Sequence, residues 1–289
     1  MRNLKLQIFL VLFGMVIVTP AFATSFFFST GDPDGKIGTA SRSDSASGIE
    51  IETADDFILT SKTAINQATF TGLVPSGASV QQVIVEIYRV FPNDSNVPPS
   101  VNVPTRINSP SDVAFDFRDS SANQLSFTAN ILSSSFTANN SVLNGINPFP
   151  NQHTGGEGPV TGQEVLFGVT FAVPFDLPAD HYFFVPQVLL DNGDFLWLSA
   201  VRPIVSGTPF PPGFTDLQSW IRDANLDPDW LRVGTDIIGP PPTGGPAPTF
   251  NAAFSLSGES TSVPEPSTIL LLGAGLAGIG LVRRKAEHK

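Results

Sequence analysis

The sequence predicts an all-β protein: a single antiparallel β-sandwich of the jelly-roll type with one short helix. The first observation is compositional, since the 289 residues include 25 Gly, 26 Pro and 24 Phe and only 14% are charged, against about a quarter in an average globular chain. The second is that apolar residues alternate with polar ones over many short segments. Short alternating segments separated by turn residues are typical of sandwiches.

Alternation defines the individual strands. It is clearest over residues 83–91, 167–173 and 249–258, and further strands are predicted at 48–52, 55–59, 65–71, 113–117, 124–128, 131–136, 181–190 and 194–200. Phe167 and Phe171 lie two strand periods apart, as do Phe250 and Phe254. Because side chains alternate between the two faces of a strand, we expect these four rings to point into the core.

One segment has helical rather than strand periodicity. In residues 214–226, Leu217, Trp220 and Ile221 fall on one face of a helix, and Thr215 is placed to cap its first turn. We therefore predict the short helix here, at one end or edge of the sandwich.

The first 23 residues have the pattern of an export signal. Arg2 and Lys5 precede an apolar stretch, which ends in Ala21-Phe22-Ala23. Small residues at these spacings are what a signal peptidase accepts, so we predict a signal helix over 1–23 that is removed after Ala23. An uncleaved anchor helix or an internal core strand is the alternative.

The remaining chain is divided into a body at 24–257, a linker at 258–268 and a C-terminal segment at 269–289. Residues 24–263 carry nine basic residues against 24 acidic ones, a net charge of −15. Such a surface repels nucleic acid and anionic lipid, so no nucleic-acid partner is expected.

The C-terminal segment contains an uncharged apolar stretch, residues 269–282, followed by Arg283, Arg284 and Lys285. A helix of this length rises about 21 Å, which is shorter than a hydrocarbon core of about 30 Å. We predict a short transmembrane helix with the basic residues on the cytoplasmic side and the body outside.

The C-terminal segment also resembles a known signal. Val263, Pro264, Glu265 and Pro266, the Gly-rich apolar stretch and the terminal Arg-Arg-Lys are similar to the PEP-CTERM sorting signal of Gram-negative bacteria, over residues 263–285. The resemblance implies cleavage by an exosortase-like membrane enzyme, transfer to the cell surface or extracellular matrix, and exopolysaccharide as a candidate partner. A plain tail anchor is the alternative. The body is similar to uncharacterised surface proteins with such tails, from which no functional residue carries over.

An acidic turn near the start of the body is a candidate calcium site. Asp32 and Asp34 lie in an Asp-Pro-Asp-Gly turn, and oxygen clusters from such turns bind calcium in exported proteins. The other ligands would come from elsewhere, with Asp55 or Asp56 as candidates. The same residues also form a good β-turn without any ion.

One aromatic residue is a candidate for sugar binding. Trp230 lies beside acidic and basic residues, where an exposed ring could stack on a ligand, although packing in the core or at an edge is the alternative. Trp197 lies in an apolar strand and is expected in the core.

No catalytic constellation stands out. The chain lacks Cys, and the body has only His153, in a Gly-rich loop, and His181, at the start of an apolar strand, where we expect a structural role. We therefore predict no enzyme and no catalytic residue. Two hypotheses remain: an exported non-enzymatic surface or matrix protein, and a secreted carbohydrate-binding or carbohydrate-active module with calcium as a candidate ion.

Overall fold

The computed structural model describes residues 23–45, 48–146, 149–150 and 152–261. These residues form 15 strands and one short π-helix, Val233–Ile238. The strands are β1 (Ala23–Ser29), β2 (Pro33–Ala40), β3 (Ile51–Leu59), β4 (Thr63–Val74), β5 (Val80–Arg89), β6 (Asp116–Asp119), β7 (Leu125–Ala138), β8 (Ser141–Val142), β9 (Val160–Leu177), β10 (Asp180–Leu190), β11 (Leu196–Ala200), β12 (Trp220–Asp223), β13 (Leu231–Arg232), β14 (Asn251–Ala252) and β15 (Phe254–Thr261).

The strands form two sheets. One has nine strands in the order β1-β15-β4-β11-β2-β8, with β14 beside β11, β9 beside β4 and β7 beside β9. The other has six, in the order β13-β12-β3-β10-β5-β6. Every pair is antiparallel except β2 with β8. The predicted all-β sandwich is therefore confirmed.

The core between the sheets is rich in phenylalanine. Phe167, Phe171 and Phe254 are buried in it, as predicted, and Phe250 is buried in a neighbouring apolar cluster. Phe167 stacks on Phe70 with ring centroids 4.9 Å apart. Each such side chain contributes about 1.5–3 kcal/mol on full burial, so a chain without Cys obtains its stability from these contacts.

The helix predicted over 214–226 is wrong. Trp220–Asp223 is strand β12, which pairs with β3 so that Ile221 lies opposite Thr53 and Arg222 opposite Glu52. Trp220 and Ile221 are both buried, in different apolar clusters. A helix would have placed both on one face, whereas the strand buries one on each side of the sheet.

Several element boundaries also differ from the predictions. The predicted strands at 124–128 and 131–136 are one strand, β7, and the strands predicted from 48 and 113 begin at Ile51 and Asp116. The last strand runs to Thr261 because it pairs with both β1 and β4. Residues 258–261 therefore belong to the sheet and not to the predicted linker.

Residues 23–261 form one compact unit. No helix within this part of the chain is long and apolar enough to cross a membrane. The predicted signal helix, except for Ala23, and the predicted transmembrane helix at 269–289 lie outside the described residues.

Candidate functional site

The outer face of the six-stranded sheet, which points away from the core between the sheets, carries a buried polar cluster. Tyr88 donates a hydrogen bond to Glu52 Oε1 at 2.7 Å, and its hydroxyl lies 3.1 Å from Glu86 Oε2. Arg222 forms an ion pair with Glu52 and donates to the Tyr88 hydroxyl at 3.0 Å. Gln187 donates to Glu86 at 3.3 Å. Four strands, β3, β5, β10 and β12, therefore meet in one network.

Burial and the neighbouring charges shift the pKa values in this network. It raises the pKa of Glu86 to about 9, with help from the negative charge of Glu52. Burial alone would lower the pKa of Arg222, but the attraction of Glu52 outweighs it and raises that pKa. At neutral pH the cluster therefore holds a protonated Glu86 beside the ion pair of Glu52 and Arg222.

An ionised and a protonated carboxyl side by side are the groups that glycosidases use. Here the geometry prevents that chemistry, because Glu52 is only 3% exposed and Arg222 only 5%. Glu52 and Arg222 form an ion pair with each other, so a substrate could not reach Glu52 without breaking that pair. The cluster is suited to holding the sheet and its covering segments together.

Trp230 belongs to this covering layer. It is fully buried, with its ring centroid 5.4 Å from that of Tyr88 and 4.4 Å from the Arg222 guanidinium. The prediction of Trp230 as a sugar-stacking residue is therefore wrong, because the ring has no solvent-exposed face. Trp197 is fully buried in the core, as predicted.

A second buried network joins Asp55 and Asp56 to other segments. Asp55 accepts hydrogen bonds from Ser219 Oγ at 3.1 Å and from the Ala252 amide at 2.8 Å. Asp56 Oδ2 lies 2.6 Å from His181 Nε2 and accepts from the Leu217 amide.

Burial raises the pKa of both aspartates well above the usual value and lowers that of His181 to about 4. Burial therefore favours the neutral forms of Asp56 and His181, which are joined by the contact between Oδ2 and Nε2. This is a structural role for His181, as expected. His153 is exposed, with Nδ1 3.2 Å from the Asp236 carbonyl oxygen.

The candidate calcium ligands Asp32 and Asp34 lie at the turn between β1 and β2, where Asp34 has partners other than Asp55 and Asp56. Asp34 Oδ1 accepts hydrogen bonds from Ser199 Oγ at 2.6 Å and from the Lys36 amide at 3.0 Å, and Oδ2 lies 3.0 Å from Lys36 Nζ. Asp32 is exposed at the same turn. Within the described ranges, no three His, Asp or Glu side chains are arranged to hold a metal ion. Calcium binding at Asp32 and Asp34 stays a prediction without a convergent ligand set.

The outer face of the nine-stranded sheet is different, because it carries an open patch without charge that extends over five strands. The strand registers align two rows of residues, Ser29-Ser255-Thr69-Gly168-Thr128 and Phe27-Ser257-Gln67-Thr170-Ser126. We call these ten residues the hydroxyl face. Four strand spacings of about 4.8 Å give it a width of about 19 Å.

Two shallow grooves lie on this side of the sheet, one within the hydroxyl face and one at its border, where Glu259 also lines it. One, of about 270 Å³, lies over Gly168, where an added Cβ would be 3.0 Å from Thr128 Oγ1. The other, of about 260 Å³, lies beside Phe27, which is 59% exposed. Hydroxyl and amide groups with one exposed ring can bind a neutral polar ligand by hydrogen bonds and apolar contact.

Sequence reasoning missed the hydroxyl face, although a signal was present. The polar half of the alternation in β4, β7 and β15 consists mostly of Ser, Thr, Asn and Gln. The sequence does not show which strands are neighbours, and these positions come together only because strands distant in sequence pair in the sheet.

The residues predicted for export and sorting lie almost entirely outside the described residues. Ala23 is the first residue of β1 and pairs with Thr261. The others are Ala21, Val263, Pro264, Glu265, Pro266, Arg283, Arg284 and Lys285.

Comparison with known proteins identifies the C-terminal segment. The family model of the PEP-CTERM protein-sorting motif matches residues 262–285, which confirms the resemblance found over 263–285. The motif implies an exported, membrane-anchored precursor that is processed by an exosortase-like membrane enzyme. No curated protein and no solved structure matches the chain.

Proposed function

We propose that the chain is an exported, non-enzymatic protein of the cell surface or extracellular matrix of a Gram-negative bacterium. The observation that carries the proposal is the PEP-CTERM motif at residues 262–285. In this view the β-sandwich is the delivered part, and the C-terminal segment is needed only for handling at the membrane.

The non-enzymatic part of the proposal is supported by how the body uses its reactive side chains. Glu52 and Arg222 pair with each other, and Asp55, Asp56 and His181 are occupied by internal hydrogen bonds. Catalytic acids and bases must reach the reacting atoms to within hydrogen-bond distance. These buried groups serve to fix the fold instead.

Sorting is proposed to proceed in two steps. Export stops when residues 269–282 enter the bilayer with Arg283, Arg284 and Lys285 inside. The processing enzyme then recognises the extended residues 263–266, where the two prolines disfavour a helix.

Replacing Pro264, Glu265 and Pro266 together with Ala tests this. The change barely alters hydrophobicity or orientation, so a plain anchor would behave as the wild type does. We expect full-length precursor to accumulate in the membrane instead, as detected by mass spectrometry of the C-terminus in the native host. A control with six Leu added to the apolar stretch verifies membrane insertion. Lys289 still attached to wild-type surface protein would contradict the proposal.

Carbohydrate binding is the second candidate function, and the hydroxyl face favours it. Its ten positions carry no charge in a body that has a net charge of −15. A neutral glycan could exchange its hydrogen bonds with water for bonds to Gln67, Thr170 and Ser126, while the apolar side of a sugar ring contacts Phe27. An anionic glycan would be repelled by the acidic body.

A glycan array probed with the mature protein, with and without calcium, tests this candidate. We expect binding of neutral glycans that is lost when Phe27 and Gln67 are replaced with Ala. Val101→Ala is the matched control, since Val101 is 88% exposed and lies outside the hydroxyl face. Binding that survives the double substitution would place any glycan site elsewhere.

A further inference from the structure

Strand β7 forms an edge of the nine-stranded sheet. Within the described part of the chain, this 14-residue strand pairs with β9 alone. The other side of β7 therefore presents backbone N–H and C=O groups without a strand partner. Such an edge is a template for pairing with another strand.

β7 lacks the residues that usually protect an edge. Its sequence, LSFTANILSSSFTA, contains no charged residue and no Pro. By contrast β6, at an edge of the other sheet, carries Asp116, Arg118 and Asp119 within four residues. Proteins that avoid edge-to-edge association place charges, Pro or bulges on their edge strands.

Only the first half of β7 is regular. Its register with β9 is unbroken from Leu125, opposite Phe171, to Ile131, opposite Val165, and shifts after Ile131. Bulges of this kind hinder pairing, so residues 125–131 are the part of the edge that is open to another strand.

The same half also exposes apolar surface. Leu125, Phe127, Ala129 and Ile131 alternate along the core side of the strand, and burial falls from Leu125, at 4% exposed, to Ile131, at 59%. Toward Ile131, the core-side residues of β7 are therefore no longer covered by the apolar cluster that buries Leu125.

We propose that residues 125–131 pair antiparallel with the same residues of a second copy of this chain, about a two-fold axis at Thr128. In this register Leu125 faces Ile131 of the second copy, Phe127 faces Ala129, and Ser126 faces Asn130. Apolar residues meet apolar ones and polar residues meet polar ones, on the correct sides of the joined sheet. The segment is self-complementary, as a two-fold interface requires.

Electrostatics restricts where two copies of the chain can meet. Two copies of a body with a net charge of −15 repel each other over most of their surfaces. Pairing along β7 brings no charged side chain of the strand against its equivalent. The joined sheet would also extend the hydroxyl face from one protomer to the next.

A cysteine placed at Thr128 gives a direct test, because the chain has no Cys of its own. Facing residues of an antiparallel ladder have Cα atoms about 4.5–5.5 Å apart, within the range of a disulfide, about 4.4–6.8 Å. We expect Thr128→Cys in the otherwise unchanged mature protein to give a disulfide-linked dimer on mild oxidation.

Thr170→Cys is the matched control. It is exposed on the same face one strand further in, and its copies would lie about 20 Å apart, because they are separated by three strand spacings and by four residues along the strands. It should therefore give no disulfide-linked dimer. Equal cross-linking of the two variants would overturn the proposal.

Sedimentation velocity on the unmodified protein supplies the second measurement. We expect a dimer for the wild type and a monomer for Ile131→Lys. Diluted until both are monomers, the two proteins should have the same melting temperature, since Ile131 is already exposed in the single chain. A wild type that is monomeric at high micromolar concentration would also overturn the proposal.

Discussion

The outer faces of the two sheets follow the same side-chain alternation but differ in charge and in exposure. On the six-stranded sheet, Glu52 and Arg222 are almost fully buried. On the nine-stranded sheet, Phe27 and Thr170 are exposed and no charge occurs among the ten positions of the hydroxyl face. The difference lies in what covers each face.

Covering segments explain the buried charges. The backbone oxygen of Ser111 accepts a hydrogen bond from Trp230 Nε1, and Leu217 donates its amide to Asp56. Arg106, within the covering segment, is fully buried and pairs with Asp112 at 2.6 Å. The Arg106–Asp112 pair holds the covering segment together, and Arg222 joins this segment to the sheet by donating to the Asp112 backbone oxygen. The uncovered face needs no such pair. The charged face therefore stabilises the fold, whereas the neutral face is accessible to a ligand.

The largest effect on stability is expected from removing Arg222 from the buried ion pair of the covered face. Replacing Arg222 with Ala leaves Glu52 buried without its cation, which costs about 3–5 kcal/mol of unfolding free energy. Ser257→Ala on the hydroxyl face should change it by less than about 0.5 kcal/mol. Urea denaturation measures both, and equal effects of the two substitutions would remove the contrast between the faces.

An intermediate effect is expected from pH. The folded pKa of Glu86, about 9, is above its unfolded value of 4.5. The folded state therefore keeps a proton that the unfolded state has lost, and stability falls as pH rises from 6.5 to 8.5. His181 does not oppose this trend, because its lowered pKa acts only below pH 6.5.

Melting temperatures across this range check the prediction. In Glu86→Gln, which imitates the protonated acid, the dependence should flatten. A melting temperature that increases with pH, or one unaffected by the substitution, would contradict the assignment of a neutral Glu86.

The smallest effect is expected from filling the groove of the hydroxyl face. In Gly168→Ala the new Cβ meets only the Thr128 hydroxyl, at 3.0 Å, so stability should change by less than about 0.5 kcal/mol. Gly72→Ala is the matched control, since its Cβ would overlap the buried Phe195 ring and should cost about 1–3 kcal/mol. Chemical denaturation of the two variants measures the difference, and a large loss for Gly168→Ala would mean that the groove is packed rather than open.

Local patterns predicted the strands better than they predicted the polar sites. Phe167 and Phe254 could be assigned to the core because strand periodicity is a property of neighbouring residues. The segment around Trp220 was misassigned because its apolar spacing also fits a helix, and only its pairing with β3 decides between the two. The Glu52–Arg222 pair could not be found, since its members are 170 residues apart.

The sequence by itself determined the β content, the phenylalanine core, the acidic charge and the sorting motif, because each depends on composition or on residues close along the chain. Only the tertiary structure decided that Trp230 is buried, that Glu52 is paired and that β7 is an edge. These properties depend on which distant segment covers or pairs with a strand. Alternation assigns a side chain to a face, but it does not specify whether that face meets another part of the protein or water.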